Sequence, residues 1–429
     1  MFKDVTLEEE LHDVANFPEL MTRDLPAGLT LVEGGVTAAG GFRAGATVAG
    51  IKTEAGTPDM AMLVADVPCV VAGTFTTSRT PSHTVLLCKE HLQASGLRGQ
   101  AVVVNSGNAN CANGEQGMRD AHEMAELTAK KLGIDPNLVY VSSTGIIGRP
   151  LPMEKIRGGI AKLEVTADGG PDLARGILTT DTRPKTVAVE FELDGKPVRL
   201  GGSTKGAGMI YPNMATMLCY LTSDAAIEPS YLQEALRAAV GDSFNMTCVD
   251  GDMSTNDTVL LLTNGLAGNA TLQAGSPGAT TLQTALNYVT RYLAREIARD
   301  GEGATKLMTV NVRGAPSKEG ARSAARAITS SPIWQCALAG GDPNWGRIWA
   351  ALGQSGAAIV PDKLEIALGD VRIVANGVAT DYDQAAAKRV MAADEVTITV
   401  DMHAGSAEAT AWGCDLTHGY IEENTTYTR

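Results

Sequence analysis

Residues 201–221, GGSTKGAGMIYPNMATMLCYL, join a glycine-rich segment, a turn and a short apolar run. Glycine lets a backbone approach another group closely or take positive φ, and the Pro-Asn pair at 212–213 signals a turn. The run 217–221 that follows has the length of a buried strand. Thr216 therefore stands at the start of a core strand, where a chain can present a hydroxyl on a rigid element.

A hydroxyl at this position becomes a nucleophile if the chain is cut in front of it. Cleavage between Ala215 and Thr216 would create an α-amine beside the Thr216 hydroxyl, and that amine could serve as its general base. The other interpretation is an ordinary glycine-rich turn that leads into a core strand. The residue types of this stretch do not by themselves separate the two.

Short apolar segments separated by turns dominate the chain around this stretch. Such segments at close spacing predict many short strands, and a regular alternation of strands and helices is missing. We therefore predict an α/β (α+β) fold, a layered sandwich of mainly antiparallel sheets with outer helices and a smaller C-terminal α/β domain. The predicted division is an N-terminal extension (1–30), a core domain (31–230), a second α/β segment that completes the site (231–313) and the C-terminal domain (314–429).

Two segments show the periodicity of amphipathic helices. In residues 114–132 the apolar side chains recur on one face, and Gly133 follows as a C-terminal cap. In residues 282–297 leucine, valine and isoleucine recur every three or four positions. A further helix is expected to start at Ser230, which has Gln233 three positions later in the pattern of a capping box.

Composition argues against several classes of function. The formal net charge of −14 disfavours a nucleic-acid partner, because phosphate binding needs a clustered basic surface. No apolar run approaches the ~18 residues of a membrane span, and the acidic N-terminus lacks the apolar segment of a signal peptide. The seven cysteines are scattered without a CxxC pair, which is typical of reduced thiols. We therefore predict a cytoplasmic protein with no nucleic-acid or membrane partner.

Two further polar clusters are candidates for chemistry. A short strand runs into Thr144 and Gly145, which either offer a hydroxyl and a backbone N–H to a developing oxyanion or form a plain turn. The acidic loop 250–257 resembles a hard-cation site only in part, because a Ca²⁺ loop needs further ligands and a bidentate glutamate. We predict that the polar side chains of this loop brace a buried segment and bind no metal.

The segments Lys205-Gly-Ala-Gly-Met-Ile and Pro212-Asn-Met-Ala-Thr216-Met-Leu resemble the self-cleavage site of the glutamate N-acetyltransferase (ornithine acetyltransferase) family. Other segments similar to this family extend over nearly the whole chain. The resemblance implies that the precursor cuts itself between Ala215 and Thr216. Thr216 then becomes the catalytic nucleophile with its free amine as base, and the fold is expected to be N-terminal-nucleophile-like.

The family's site residues are carried over by position. The resemblance implies an oxyanion hole formed by Thr144 and Gly145. Within the TTDT segment 179–182, the family's substrate-binding threonine is assigned to Thr182 by its spacing to Lys205. The last threonine, Thr428, stands before Arg429, where the family ends in Ser or Thr. The implied substrate contacts, the nucleophile included, are Thr182, Lys205, Thr216, Glu302, Asn424 and Thr428.

The implied reaction moves an acetyl group from N²-acetyl-L-ornithine to L-glutamate through an acetyl-Thr216 enzyme, in a ping-pong sequence. No cofactor or metal is expected, and the expected partners are small molecules. The two chains that this cleavage would give, called α and β, are expected to assemble as α2β2. Whether acetyl-CoA also serves as an acetyl donor is left open. Two other interpretations stay open: an autoproteolytic amidase or aminopeptidase with the same nucleophile, and a catalytically inactive binding protein.

Overall fold

The computed structural model describes residues 24–211 and 217–426. Several residues that carry the sequence prediction lie outside the described residues, namely Ala215, Thr216, Thr428 and Arg429. Most of the predicted N-terminal extension, residues 1–23, lies outside them as well. Within the described ranges, no helix combines the length and the apolar composition that a membrane span needs.

The strands of the described parts form two sheets. The first sheet has nine strands: β1 (Thr30–Leu31), β2 (Phe42–Thr47), β3 (Met60–Phe75), β4 (Arg98–Asn108), β5 (Val139–Ile146), β6 (Lys185–Leu193), β7 (Lys196–Lys205), β8 (Leu218–Ser223) and β9 (Thr258–Thr263). The second has six: β10 (Leu307–Ala315), β11 (Glu365–Leu368), β12 (Val371–Ala375), β13 (Val378–Ala379), β14 (Glu395–Asp401) and β15 (Ala407–Cys414).

The strand order of the first sheet is β1-β6-β7-β8-β9-β3-β4-β5, with β2 paired to β3 beside that path, and that of the second is β13-β12-β11-β14-β10-β15. Among the described strand pairs, β4 with β5, β8 with β9 and β10 with β14 are parallel and the others are antiparallel. The predicted α/β class with mainly antiparallel sheets is confirmed. The domain boundaries stay a prediction.

Most helices of the described parts pack on these sheets. The helices of these parts are α1 (His83–Ala94), α2 (Gly114–Leu132), α3 (Met153–Lys162), α4 (Gly170–Gly176), α5 (Pro229–Gly241), α6 (Ala279–Arg299), α7 (Lys318–Thr329), α8 (Pro332–Ala339), α9 (Trp345–Gln354), α10 (Gln384–Met391) and α11 (His418–Thr426). Helices α2 and α6 confirm the two helices predicted from periodicity.

Local sequence accounts for where α2 ends and where α5 begins. Helix α2 ends where Gly133 takes φ +70 as its C-terminal cap, as predicted. Helix α5 begins at Pro229, whose fixed φ suits the first helical position. The carboxylate of Glu228 caps it by accepting a hydrogen bond from the Tyr231 N–H at 3.1 Å. The prediction that Ser230 caps this helix is wrong, because Ser230 already lies within the first turn.

Strand β8 lies in the middle of the first sheet and is buried on both faces. Leu218 and Tyr220 belong to one hydrophobic cluster, and Cys219 and Leu221 belong to a larger one that continues into the second sheet. All four side chains are at most 1% exposed. A strand covered on both faces is apolar at successive positions rather than at alternate ones, and this explains the uninterrupted run 217–221. The start of β8 is therefore buried and packed on both sides.

Candidate active site

The C-terminal ends of β5 and β7 meet at a cleft of about 110 Å³, called here the Lys205 cleft. Five of the residues predicted from the sequence line this cleft, although they are far apart in the chain: Thr144, Gly145, Lys205, Glu302 and Asn424. Its other lining residues are Ala109, Ile147, Thr179, Thr180, Gly208, Met209, Ser254, Thr255 and Asn256. The fold thus brings the five together, and their individual roles remain predictions.

Thr144 and Gly145 end strand β5 at the wall of the cleft. Gly145 has φ +128, and a Cβ at this position would lie 2.4 Å from the carbonyl carbon of Gly107 on β4. Only glycine fits this conformation and this approach. The Asn256 amide donates to the carbonyl oxygen of Ser143 at 2.7 Å and so holds the strand end in place. A hydroxyl and a backbone N–H at a fixed strand end are what an oxyanion-binding pair requires.

Lys205, the last residue of β7, belongs to a buried ionic cluster. Its side chain is 2% exposed, and its Nζ lies 3.6 Å from Asp181 Oδ2. The ammonium of Lys185 lies 2.7 Å from Asp181 Oδ1 and also contacts the carboxylate of Asp300. Two ammonium groups and two carboxylates therefore balance each other before any ligand enters.

The protonation of this cluster follows from its own charges. Burial raises the pKa of Asp181, but the ammonium groups of Lys185 and Lys205 outweigh burial and hold that pKa well below its ordinary value. The N–H of Gly206, which donates to Asp181 Oδ1 at 2.6 Å, acts in the same direction. Burial lowers the pKa of Lys185, whereas Asp181 and Asp300 raise it by more. Asp181 and Lys185 are therefore both charged at neutral pH.

Glu302 lies in the turn between α6 and β10, with its carboxylate against the backbone of Gly208. A Cβ at Gly208 would lie 2.2 Å from the Glu302 carboxyl carbon, so this approach requires glycine. From α11, Asn424 Nδ2 donates to Glu302 Oε2 at 2.8 Å. The cleft that holds the Lys205 cation thus also holds a carboxylate and an amide.

The structure does not bring Thr182 to the cleft. Its hydroxyl donates to Asp300 Oδ1, and its N–H donates to Asp300 Oδ2 at 3.1 Å. Thr179 and Thr180 of the same segment line the cleft instead. The segment turns inward at Asp181, which pairs with two lysines, and the spacing to Lys205 alone did not show which threonine comes before that turn.

The acidic loop 250–257 braces the chain on both sides of residues 212–216. Asp250 accepts a hydrogen bond from the N–H of Ile210 at 3.0 Å, and burial raises the pKa of Asp250 to about 6. Asp257 Oδ1 accepts from the N–H of Met217 at 3.0 Å, and burial raises the pKa of Asp257 well above its usual range. These contacts agree with the predicted bracing role. In the parts of the chain that the structure describes, no group of three or more His, Cys, Asp or Glu side chains could hold a metal ion.

Comparison with known proteins gives extensive matches. A model described as the ArgJ family matches residues 43–429. A Symbiobacterium thermophilum protein named arginine biosynthesis bifunctional protein ArgJ is 51% identical over 397 residues, which are 92% of this chain and 98% of that protein. A Synechocystis protein of the same name is 43% identical over 409 residues, 93% of this chain and 98% of that protein.

A solved structure is also similar. The ornithine acetyltransferase of Mycobacterium tuberculosis, solved in complex with ornithine, is 36% identical. The match covers 43% of this chain and 98% of that chain, with a TM-score of 0.39. The segments around Lys205 and Thr216 predicted this family, and the family model and the two relatives confirm the prediction. This chain belongs to the ArgJ family.

Proposed function

We propose that this chain transfers the acetyl group of N²-acetyl-L-ornithine to L-glutamate in arginine biosynthesis. The observation that carries the proposal is the Lys205 cleft, which holds a buried cation, a carboxylate and an oxyanion-type pair in one small volume. N²-acetylornithine offers the complementary groups, namely an α-carboxylate, a δ-ammonium and an acetyl carbonyl. The names of the two relatives, which refer to arginine biosynthesis, support the same assignment.

Each charged group of the cleft has a proposed partner on the substrate. Lys205 binds the α-carboxylate, which both the donor and the acceptor carry. Glu302 faces the δ-ammonium of ornithine, and charge-assisted contacts of this kind are the strong ones in a binding site. Asn424 orients the Glu302 carboxylate through its 2.8 Å hydrogen bond and adds a neutral contact to the substrate.

The threonines contribute neutral hydrogen bonds to the substrate. Thr179 and Thr180 supply them in this proposal, because they line the cleft and Thr182 is engaged with Asp300. Thr428 keeps the role implied by the family resemblance. Arg429 follows it at the position where the family ends in Ser or Thr.

Thr216 is the proposed nucleophile after self-cleavage between Ala215 and Thr216. Its Oγ attacks the acetyl carbonyl carbon while its α-amine takes the hydroxyl proton, and a reference pKa of about 7.7–8.0 suits that amine to neutral pH. Thr144 and Gly145 stabilise the oxyanion. The carbon–nitrogen bond to ornithine then breaks, the proton passes to the leaving nitrogen, and an acetyl ester remains on Thr216.

The second half of the cycle runs these steps in reverse with the acceptor. The α-amine of glutamate attacks the ester carbonyl carbon and gives up a proton to the Thr216 amine. The ester bond to Thr216 Oγ breaks, Oγ regains the proton, and N-acetylglutamate leaves. This ping-pong cycle balances without a cofactor or a metal.

We also propose how the protein assembles and where it acts. The α and β chains from one precursor stay together and pair as α2β2 in the cytoplasm. The relatives are named bifunctional, which supports a second activity, and we propose acetyl-CoA as the acetyl donor in it.

The test is a product balance with purified protein, N²-acetylornithine and glutamate. N-acetylglutamate should form in step with ornithine, with little free acetate, and Thr216→Ala should abolish both products. If acetate forms while glutamate stays unused, the amidase or aminopeptidase interpretation is correct instead. If both amino acids bind and neither product forms, the protein is a binding protein.

A further inference from the structure

The two proposed substrates carry opposite charges on their side chains, yet they must use the same cleft. Glu302 attracts the ammonium at the end of ornithine, and the same carboxylate repels the γ-carboxylate of glutamate. The buried cluster offers no surplus positive charge to compensate, because its two ammonium groups and two carboxylates balance: Lys185, Lys205, Asp181 and Asp300. A further cation beside the cleft would resolve this conflict.

The loop between β2 and β3 carries a lysine in a fixed position. The carboxylate of Asp59, which is fully buried, accepts hydrogen bonds from the N–H groups of Ala49 at 2.6 Å, of Ile51, and of Lys52 at 3.1 Å. The carbonyl oxygen of Asp59 accepts from the N–H of Ser106 at 2.9 Å, which ties the loop to β4. Lys52 therefore stands on a loop whose backbone is clamped at its base.

This clamp places Lys52 beside the strand pair that ends at the proposed oxyanion hole. A Cβ added to Gly107 would lie 3.3 Å from Lys52 Cγ, so the lysine stem covers the backbone of Gly107. Gly107 is the register partner of Gly145 across β4 and β5. The stem of Lys52 thus packs on the residue that directly faces a lining residue of the cleft.

The ammonium of Lys52 lies within electrostatic range of the buried cluster. Burial lowers its pKa, and among its charged neighbours Asp59 and Asp181 raise this pKa while Lys205 lowers it. Its Nζ donates to the carbonyl oxygen of Pro58 at 2.9 Å. An ammonium has three N–H donors, so this bond leaves donors for a ligand.

We propose that Lys52 determines selectivity for the acidic acceptor by attracting the γ-carboxylate of glutamate. The inference rests on the acetyl-transfer function proposed above. Replacing Lys52 by a neutral residue removes one positive charge from the surroundings of the buried cluster. N²-acetylornithine is neutral overall, whereas glutamate carries one net negative charge and N-acetylglutamate carries two. Loss of the Lys52 charge therefore penalises the acidic acceptor and its product and spares the donor.

The decisive variant is Lys52→Gln, with both half-reactions measured by steady-state kinetics. The KM for glutamate should rise about tenfold, as for loss of one partly solvated charge-assisted contact. The KM for acetylornithine should change less than about twofold, and Lys52→Arg should restore the wild-type KM for glutamate. Lys155→Gln is the matched control, because Lys155 donates to the Gly50 carbonyl of the same loop. It should leave both KM values within about twofold.

A second measurement separates a selectivity role from a purely structural one. Glutamine as acceptor lacks the γ charge, so the wild-type enzyme should use it far less well than glutamate. In the variant Lys52→Gln, the preference for glutamate over glutamine as acceptor should be about tenfold smaller than in the wild type. Equal use of both acceptors by the wild type would overturn the inference without any variant. The inference would also be overturned if Lys52→Gln changed the KM values for donor and acceptor equally, or changed neither of them. A wild-type protein that transfers no acetyl group would refute the proposed function itself.

Discussion

Replacing Asp181 by asparagine would test the buried cluster that orients Lys205. Asparagine keeps the shape and one acceptor oxygen, but it removes the carboxylate that pairs with Lys185 at 2.7 Å and with Lys205 at 3.6 Å. Removing one partner of a buried ion pair costs about 3–5 kcal/mol, because the other charge stays buried without compensation. The side chains of Asp181 and Lys185 are 0% exposed and that of Lys205 is 2% exposed, so solvent screening does not reduce this cost.

This cost converts into a measurable melting shift. With about 2.1 cal/mol/K of unfolding entropy per residue, a chain of 429 residues has about 0.9 kcal/mol/K, so Tm should fall by about 3–6 °C at pH 7. Asp172→Asn is the matched control, since its 3.5 Å pair with Arg175 has side chains that are 62% and 59% exposed. That control should shift Tm by less than about 1 °C. Equal shifts in the two variants would refute the account of the buried cluster.

A comparison of the wild type with Asp181→Asn also gives a pH test with a defined sign. The pKa of Asp181 is depressed in the folded protein, so its contribution to stability is fully present above the unfolded pKa of about 3.9 and is lost as the pH falls through the folded pKa. The Tm difference between wild type and Asp181→Asn should therefore stay constant from pH 7 to about pH 5 and narrow below about pH 4. A difference that disappears by pH 6 would point to another titrating group.

Three further variants test the rest of the site. Thr216→Ala should stay a single 429-residue chain on a denaturing gel and be inactive, whereas the wild type should give fragments 1–215 and 216–429; an active wild type that runs as one 44.7 kDa band would exclude self-cleavage. Gly145→Ala keeps the backbone N–H but should displace it, because the added Cβ would lie 2.4 Å from Gly107. We expect kcat to fall about 100-fold, as for loss of an oxyanion donor, with circular dichroism to check folding, and an unchanged kcat would remove Gly145 from the mechanism. Glu302→Gln should lower kcat/KM for acetylornithine about ten- to a hundredfold and lower kcat/KM for glutamate less. Steady-state kinetics with each substrate varied in turn measure both values, and equal losses would show that Glu302 does not discriminate between the two substrates.

The features of the fold that depend on neighbouring residues could be predicted from the sequence. Gly133 marked the end of α2 because a left-handed cap suits glycine, and the run 217–221 predicted a buried strand because both of its faces are covered. Ser230 was misleading, since Pro229 takes the first helical position and leaves Glu228 as the cap. Two overlapping start signals compete there, and only the backbone conformation decides between them.

The site is formed by residues that are far apart in the chain, and the family resemblance predicted most of these residues. Nothing in local sequence places Glu302 against Gly208 or Asn424, because the chain segments that carry them are distant in sequence and meet only in the folded structure. Thr182 shows the limit of transfer by spacing, since one residue position decides whether a threonine faces the cleft or binds Asp300. Lys52 had no signal in the sequence, because its role depends on a loop that Asp59 folds back onto β4.

The position of β8 has a consequence for the proposed self-cleavage, namely that the chain should fold before it is cut. A cut at the proposed junction separates β7 from β8, yet these strands pair along their length from Leu200 with Ser223 to Lys205 with Leu218. Each half on its own would expose the unpaired edge of one of these two strands, and unpaired strand edges can recruit other chains into aggregates. If the chain is cut at the proposed junction, we therefore expect the two halves to pair while they still belong to one chain. Halves produced from separate genes should need to be made together to stay in solution.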